Sequence, residues 1–345
     1  MNMSRFTRYL PVLLLTLVPF LFSATSFAYT VPQKAGQITE YSLPGRTSDP
    51  RSITKGSDGN LWFTDYSRGK IGRITPQGSI TEYSVGACCP FDITTGPGGD
   101  LWYTVGDDNG KLNASYIGKT TLQGKSTLYP LFSRDHRIPQ SIAQGPDGNL
   151  WFTGDSINLH DQGDGFIGKM TPAGKVTLIH LGANSIPVDI TTGSDGNLWF
   201  TENDSLFTGV VQLNPSTLKL TKYPLAHSDL LSITTGPDGN LWFTDFTPGK
   251  IVEFNLSTSQ FSKYTIPTSN SKPWGITTGP DGKLWFTEIG GNKIGRLNPK
   301  TAKITEFPIP TPKSFSTDIT AGPDGNVWFV ESGTGTGKIG KITTA

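Results

Sequence analysis

Apolar and polar positions along this chain follow a recurring four-strand code. The stretch Ser-Ile-Thr-Lys-Gly-Ser-Asp-Gly-Asn-Leu-Trp-Phe-Thr-Asp at 52–65 returns as Ile-Thr-Thr-Gly-Pro-Asp-Gly-Asn-Leu-Trp-Phe-Thr-Asp at 233–245. It returns again, with Lys and Glu substituted, at 276–288. Each repeat spells a first strand (x-Ile-Thr-Thr-Gly), an Asp-Gly type turn and a second strand (Leu-Trp-Phe-Thr). A third strand follows, clearest as Lys-Ile-Gly-Arg-Ile-Thr at 70–75, then a Thr-Pro-x-Gly turn at 75–78 and a fourth strand, Ile-Thr-Glu-Tyr, at 80–83. Asp and Gly supply the backbone conformations that such turns need. The marker tryptophans Trp62, Trp102, Trp151, Trp199, Trp242, Trp285 and Trp328 are spaced by 40, 49, 48, 43, 43 and 43 residues. Seven of the eight Trp therefore occupy one repeated position. Four antiparallel strands per period describe a propeller blade, and seven periods predict an all-β, seven-bladed β-propeller.

The last repeat stops after its third strand, Lys338 to Thr343. Its missing fourth strand is read at Gln37-Ile38-Thr39-Glu40-Tyr41, which matches Ser79-Ile80-Thr81-Glu82-Tyr83. The N-terminal strand is thus expected to complete the last blade and close the ring, which removes exposed sheet edges. Residues 29–345 are read as one propeller domain. Residues 1–28 read as a signal peptide: Arg5 and Arg8 precede an apolar run from Leu10 to Phe22, and Ser26-Phe27-Ala28 offers a cleavage site. The expectation is a secreted or extracytoplasmic monomer, with no membrane attachment after cleavage.

Charge changes the picture by exclusion. The full chain carries a formal +1, and loss of Arg5 and Arg8 leaves 27 bases against 28 acids. A near-neutral protein gives no electrostatic case for nucleic acid or an anionic membrane. No Ser-His-Asp arrangement, phosphate loop, zinc spacing or basic aromatic patch is present. The two cysteines, Cys88 and Cys89, are adjacent. Neighbouring Cα atoms lie about 3.8 Å apart, below the usual disulfide span, so a vicinal bridge would be strained; two thiols are the other reading.

Candidate chemistry sits on the face opposite the uniform Asp-Gly turns, where loops vary. Blades two and three carry insertions at 105–116 and 154–166, containing Asp107, Asp108, Asn109, Asp155, His160, Asp161 and Asp164. Clustered Asp with Gly suits Ca²⁺, or simply a solvated loop. After the second strand come Asp65, Val105, Gly154, Glu202, Asp245, Glu288 and Glu331. These five acids either rim the mouth with negative charge or pair with Lys70, Lys250, Lys293 and Lys338 of the third strands. Just before the first-strand Ile stand Ser52, Asp92, Ser141, Asp189, Ser232, Gly275 and Asp318. Asp92, Asp189 and Asp318 could hold a metal near the axis or cap local backbone donors. One residue earlier the series is Arg51, Phe91, Gln140, Val188, Leu231, Trp274 and Thr317, with no two alike. A position that varies inside a strict repeat is not set by the scaffold. It marks a ligand mouth, with Trp274 as the stacking candidate beside Phe91, Arg51, Gln140 and Thr317.

These residues carry a family resemblance. Ile-Thr-Thr-Gly-Pro-Asp-Gly-Asn-Leu-Trp-Phe-Thr-Glu/Asp followed by Asn-Lys-Ile-Gly-Arg resembles the streptogramin (virginiamycin B) lyase family over roughly 36–345, most closely at 272–310. The resemblance implies Mg²⁺-dependent elimination that opens cyclic depsipeptides, with one His as general base, a second His at the site and two Glu placing the metal. Carried over by position, the first His falls on Trp274 after Pro273 and the second on Thr317. One Glu falls on Phe315, and the other on Glu331. The four His present, His136, His160, His180 and His227, lie elsewhere.

Three functions follow as expectations. The first is a propeller that binds a small molecule, glycan or peptide on its top face without turnover. The second is a metal-dependent lyase of altered site residues, opening a cyclic depsipeptide or lactone, with Asp92, Asp189, Asp318 and Glu331 as metal ligands and Mg²⁺ as the metal if the resemblance holds. The third is an interaction protein that presents its surface to another protein.

Overall fold

In the computed structural model, residues 34–106, 114–133, 137–156, 164–204, 207–333 and 336–344 are described. The signal-peptide segment, His136, His160, Asp107, Asp108, Asn109 and Asp161 lie outside them. The described residues form seven four-stranded antiparallel sheets. Their one helical element is the 3-10 turn Pro97–Gly99. Six sheets run in simple sequence order, for example Pro50–Lys55, Leu61–Asp65, Lys70–Ile74 and Ile80–Ser84 in blade one. In the seventh, Ile38–Ser42 lies antiparallel to Lys338–Ile342, with Ile38 opposite Ile342 and Ser42 opposite Lys338. The chain's first described strand therefore completes its last blade, in the same register as Ile80–Ser84 against Lys70–Ile74 in blade one.

The marker tryptophans are the packing unit between blades. All seven are essentially inaccessible. Trp62 of blade one lies among Ile93, Leu101 and Tyr103 of blade two, and Trp328 of blade seven lies among Leu61 and Phe63 of blade one. Burying so large a ring is favourable, but its indole N–H needs an acceptor. Six of the seven donate to the Asp four residues earlier, in the tight turn, at 2.9–3.1 Å. One short motif thus sets the turn and satisfies the core. Blade two has Gly98 at that Asp position, and the Trp102 indole nitrogen has no partner.

Candidate functional site

Blades one to six aim their first strands at the axis through a repeated irregularity. In blade one Pro50 is opposite Asp65, but Ile53 is opposite Phe63, so the inner strand carries one extra residue. The same bulge recurs in blades two to six. Bulges redirect side chains. Here the two bulged residues are those of the two series singled out in the sequence. The Thr of Leu-Trp-Phe-Thr holds each bulge: Thr64 accepts from the Ser52 N–H at 3.1 Å and donates to the Phe91 carbonyl of the next blade at 2.9 Å. Thr244 does the same for Ser232 and the Trp274 carbonyl. Blade seven has Val330 instead of Thr, and there the Thr317 hydroxyl itself donates to the Arg51 carbonyl at 2.9 Å. Part of Thr317's polarity is thus spent on ring closure.

All seven members of the non-repeating series line one cavity of about 370 Å³. Its wall is apolar along blades four to six, with Ile186, Val188, Leu231 and Trp274, and Phe91 adds to it from blade two. Trp274 is half-buried and meets Phe246 edge-on at 5.6 Å. The polar arc lies on blades one and three. Arg51 sits 5.2 Å over the Tyr66 ring and pairs with Asp49 at 2.8 Å, while Gln140 donates to Asp155 at 3.4 Å. Burial raises the Asp155 pKa. Among the described residues of the insertion loops, Asp155 reaches the cavity, whereas Asp164 lies 3.4 Å from His180, on the outer strand of blade three. Neither His180 nor His227 lines the cavity.

The Ser/Asp series forms a ring at the cavity floor. The Ser52 hydroxyl lies 2.7 Å from Asp92 and 2.8 Å from Asp318; the Ser141 hydroxyl lies 2.9 Å from Asp92 and 2.6 Å from Asp189. Ser232 adds a contact to Asp189 at 2.9 Å. Each of the six carboxylate oxygens also accepts a backbone N–H, one from its own blade and one from the next. The aspartates therefore cap backbone donors and clasp blades seven to one, two to three and four to five. Among the described residues, no group of three or more His, Cys, Asp or Glu is placed to hold a metal ion. Five hydroxyl–carboxylate contacts share three hydroxyl hydrogens, so two contacts need a proton from a carboxyl. Burial, with the charge of Asp189, pushes Asp92 up to about 6. Burial, with the charge of Asp92, pushes Asp318 to about 7, and burial raises Asp189.

The five acids that end the second strands are not a rim of the mouth. They are buried and none lines the cavity. Three of them anchor the links between blades: Asp65 accepts the Asp49 N–H at 3.0 Å, Asp245 accepts the Asp229 N–H at 2.8 Å, and Ser185 donates to Glu202. The expected pairing with third-strand lysines also differs. Lys70, Lys293 and Lys338 turn to the fourth-strand glutamates Glu82, Glu306 and Glu40. In blades four and five the fourth strand instead supplies a lysine, and Lys222 meets Glu202 while Lys263 meets Asp245. Sequence reasoning missed a companion of these acids, the serine that donates to Glu202 in blade four. A Ser stands 17 residues before every one of them (Ser48, Ser185, Ser228, Ser271, Ser314), whereas the acid-free blades have Cys88 and Arg137 there.

Glu288 and Glu331 stand apart. They are 1% and 2% exposed, and none of their four carboxylate oxygens has a hydrogen-bond partner. Burial, with Glu306 and Glu40 respectively as like-charged neighbours, pushes each to about 8. Phe315, at the other glutamate position implied by the resemblance, has a left-handed backbone (φ 53°) and a 50% exposed ring.

Among solved structures, a streptogramin B lyase superposes with a TM-score of 0.77 at 33% identity, covering 91% of this chain and all of that one. A catalytically inactive histidine-to-alanine variant of virginiamycin B lyase from Staphylococcus aureus, with quinupristin, superposes with a TM-score of 0.75 at 32% identity, covering 90% of this chain and 99% of that one. A virginiamycin B lyase from Nocardia farcinica is 25% identical over 141 residues, which span 41% of this chain and 43% of that protein. The Virginiamycin B lyase family matches residues 28–212 and 208–345. With that match running over nearly the whole propeller, the chain belongs to the Virginiamycin B lyase family.

Proposed function

We propose that this chain is an exported member of the family that binds an apolar small molecule or peptide in the axial cavity without opening it. One observation carries this reading. On an otherwise uniform scaffold each blade contributes a different residue to the cavity, and the two positions where the resemblance implies histidine are Trp274 and Thr317. Elimination needs a base of suitable pKa within reach of the proton it removes. Neither indole nor a threonine hydroxyl is one at neutral pH. The aliphatic and aromatic wall favours an apolar ligand over a glycan, which would ask for more convergent polar groups.

The residues present do not fit the Mg²⁺ that the resemblance implies. Phe315 offers no oxygen, and Glu331 belongs to no group of three or more His, Cys, Asp or Glu placed to hold a metal ion among the described residues. A second reading, a redirected lyase acting on a cyclic depsipeptide or lactone, draws its support from Glu331, a buried carboxyl group with no hydrogen-bond partner.

Quinupristin is the first ligand to try, because a histidine-deficient relative was obtained with it. Calorimetric titration should show binding, and Trp274→Ala should weaken it at least about tenfold, roughly 1.4 kcal/mol. Incubation with Mg²⁺ beside a working lyase should leave the antibiotic intact by mass spectrometry. A linear isomer that disappears with chelator would establish the lyase reading instead, and failure to bind would remove this ligand class.

A further inference from the structure

We propose that Cys88 and Cys89 form a thiol–disulfide exchange site that closes to a vicinal disulfide and thereby reshapes the Arg51–Phe91 wall of the cavity. The two residues lie in the link between the strands Ile80–Ser84 and Pro90–Thr95, and their sulfurs are not bonded to each other. Cys88 is half-buried, whereas Cys89 is 3% exposed. Cys89 has a left-handed backbone (φ 66°), which residues with a side chain seldom adopt. Its N–H donates to the Tyr66 carbonyl at 3.2 Å, and its carbonyl accepts from Gly106 at 3.4 Å.

Those bonds tie the dithiol to the cavity. The Tyr66 N–H donates to the Asp49 carbonyl at 2.9 Å, and the Asp49 carboxylate holds the Arg51 guanidinium. The Tyr66 ring lies under Arg51 and meets Phe91 edge-on at 6.3 Å. Arg51 and Phe91 both line the cavity. Adjacent Cα atoms, about 3.8 Å apart, fall short of the usual disulfide span, so closure requires the 88–89 peptide to turn. That turn re-aims the N–H held by Tyr66. A strained bond of this kind is readily reduced, as labile and regulatory disulfides are.

The exchange partner is a small-molecule or protein disulfide, and the step balances against it. Cys88, as thiolate, attacks one sulfur of the partner, forms a mixed disulfide and releases one partner thiolate. Cys89, as thiolate, then attacks the Cys88 sulfur, forms the Cys88–Cys89 bond and releases the second. Two protein thiols lose two electrons and two protons, and the partner disulfide ends as two thiols. Exposure assigns the roles: Cys88 is reached first and Cys89 resolves. None of this depends on whether the cavity takes a ligand.

The test is to incubate the reduced protein with oxidised glutathione and follow intact mass, thiol alkylation and amide exchange. The expected product is a monomer lighter by two hydrogens, with both thiols blocked and recovered by reductant. Exchange should change in peptides covering 66–69 and 87–92 and stay unchanged over 273–278. Cys89→Ser should stop at a stable glutathione adduct on Cys88, and Cys88→Ser should stay unmodified. A wild-type protein that remains a dithiol, keeps the adduct or cross-links two chains overturns the site. A clean internal disulfide with unchanged exchange at 66–69 overturns its link to the cavity.

Discussion

Raising the pH from about 5 to about 8.5 should loosen this propeller, and the axial ring says by how much. Ser52 and Ser141 each have one hydroxyl hydrogen but each lies within hydrogen-bond distance of two carboxyls. The ring therefore holds its geometry best when carboxyl protons fill the remaining contacts. Asp92 at about 6 and Asp318 at about 7 titrate higher in the folded protein than an unfolded Asp, near 3.9. The folded state thus binds more protons than the unfolded chain across this range. Stability from this source is full below about pH 4 and is lost as pH rises through 6 and 7. At about 1.4 kcal/mol per proton per pH unit, Asp92 contributes about one unit above pH 5 and Asp318 about two. The total is about 4 kcal/mol, reduced to roughly 2–4 because the ring lines the cavity rather than the closed core. Glu288 and Glu331, at about 8 in the folded protein against about 4.3 unfolded, add their own loss over the same pH range, so the ring's share is a lower bound on the whole decline. Carboxylates held low, such as Asp147 at about 2, act only in more acid solution. Urea unfolding followed by tryptophan fluorescence at the two pH values measures this directly, provided the slope with urea is unchanged. Asp318→Ser should reduce absolute stability, by removing two backbone caps, and should shrink the pH difference. A midpoint that is flat or rises with pH would refute the proton-sharing ring.

Two further outcomes test the scaffold. Asp281→Ala removes the acceptor of the Trp285 indole N–H (2.9 Å), and leaving that buried donor unsatisfied should cost about 1–3 kcal/mol in chemical denaturation. Deleting residues 34–42 strips the outer strand from blade seven and bares Lys338–Ile342 as a sheet edge. The truncated chain should self-associate in light scattering, and a stable monomer would contradict closure by that strand.

The fold was legible because a propeller writes its architecture seven times. Trp, its Asp acceptor and the bulge-holding Thr lie within one short motif, so local sequence contains the whole contact. The axial series was legible for the opposite reason: positions 51, 91, 140, 188, 231, 274 and 317 break a strict pattern. What stayed hidden were contacts between segments whose spacing is set by loops. Reading along a strand pairs Asp65 with Lys70, its register partner. In three dimensions Asp65 turns back to the link before its blade, and Lys70 turns outward to Glu82. The exchange of Val330 for Thr, made good by the Thr317 hydroxyl, is equally invisible without the ring, because 266 residues separate Thr317 from Arg51.

An odd number of blades imposes one more constraint on the site. Each axial Asp clasps two blades, so three of them serve six, and a strict alternation of Ser and Asp cannot close over seven positions. One blade must be left out. It is blade six, where the series has Gly275, and a Cβ there would lie 3.0 Å from the Asp318 Cα and the Thr317 carbonyl. No carboxylate of the ring is bonded to the Ile276 N–H among the described contacts, although the ring serves its counterparts in the other blades. The same blade carries Trp274, the cavity's one tryptophan. The break in the clasp and the aromatic wall therefore share a strand, Pro273–Thr278. That strand is the part of the axis least fixed by the ring, and so the part most free to be shaped by whatever the cavity holds.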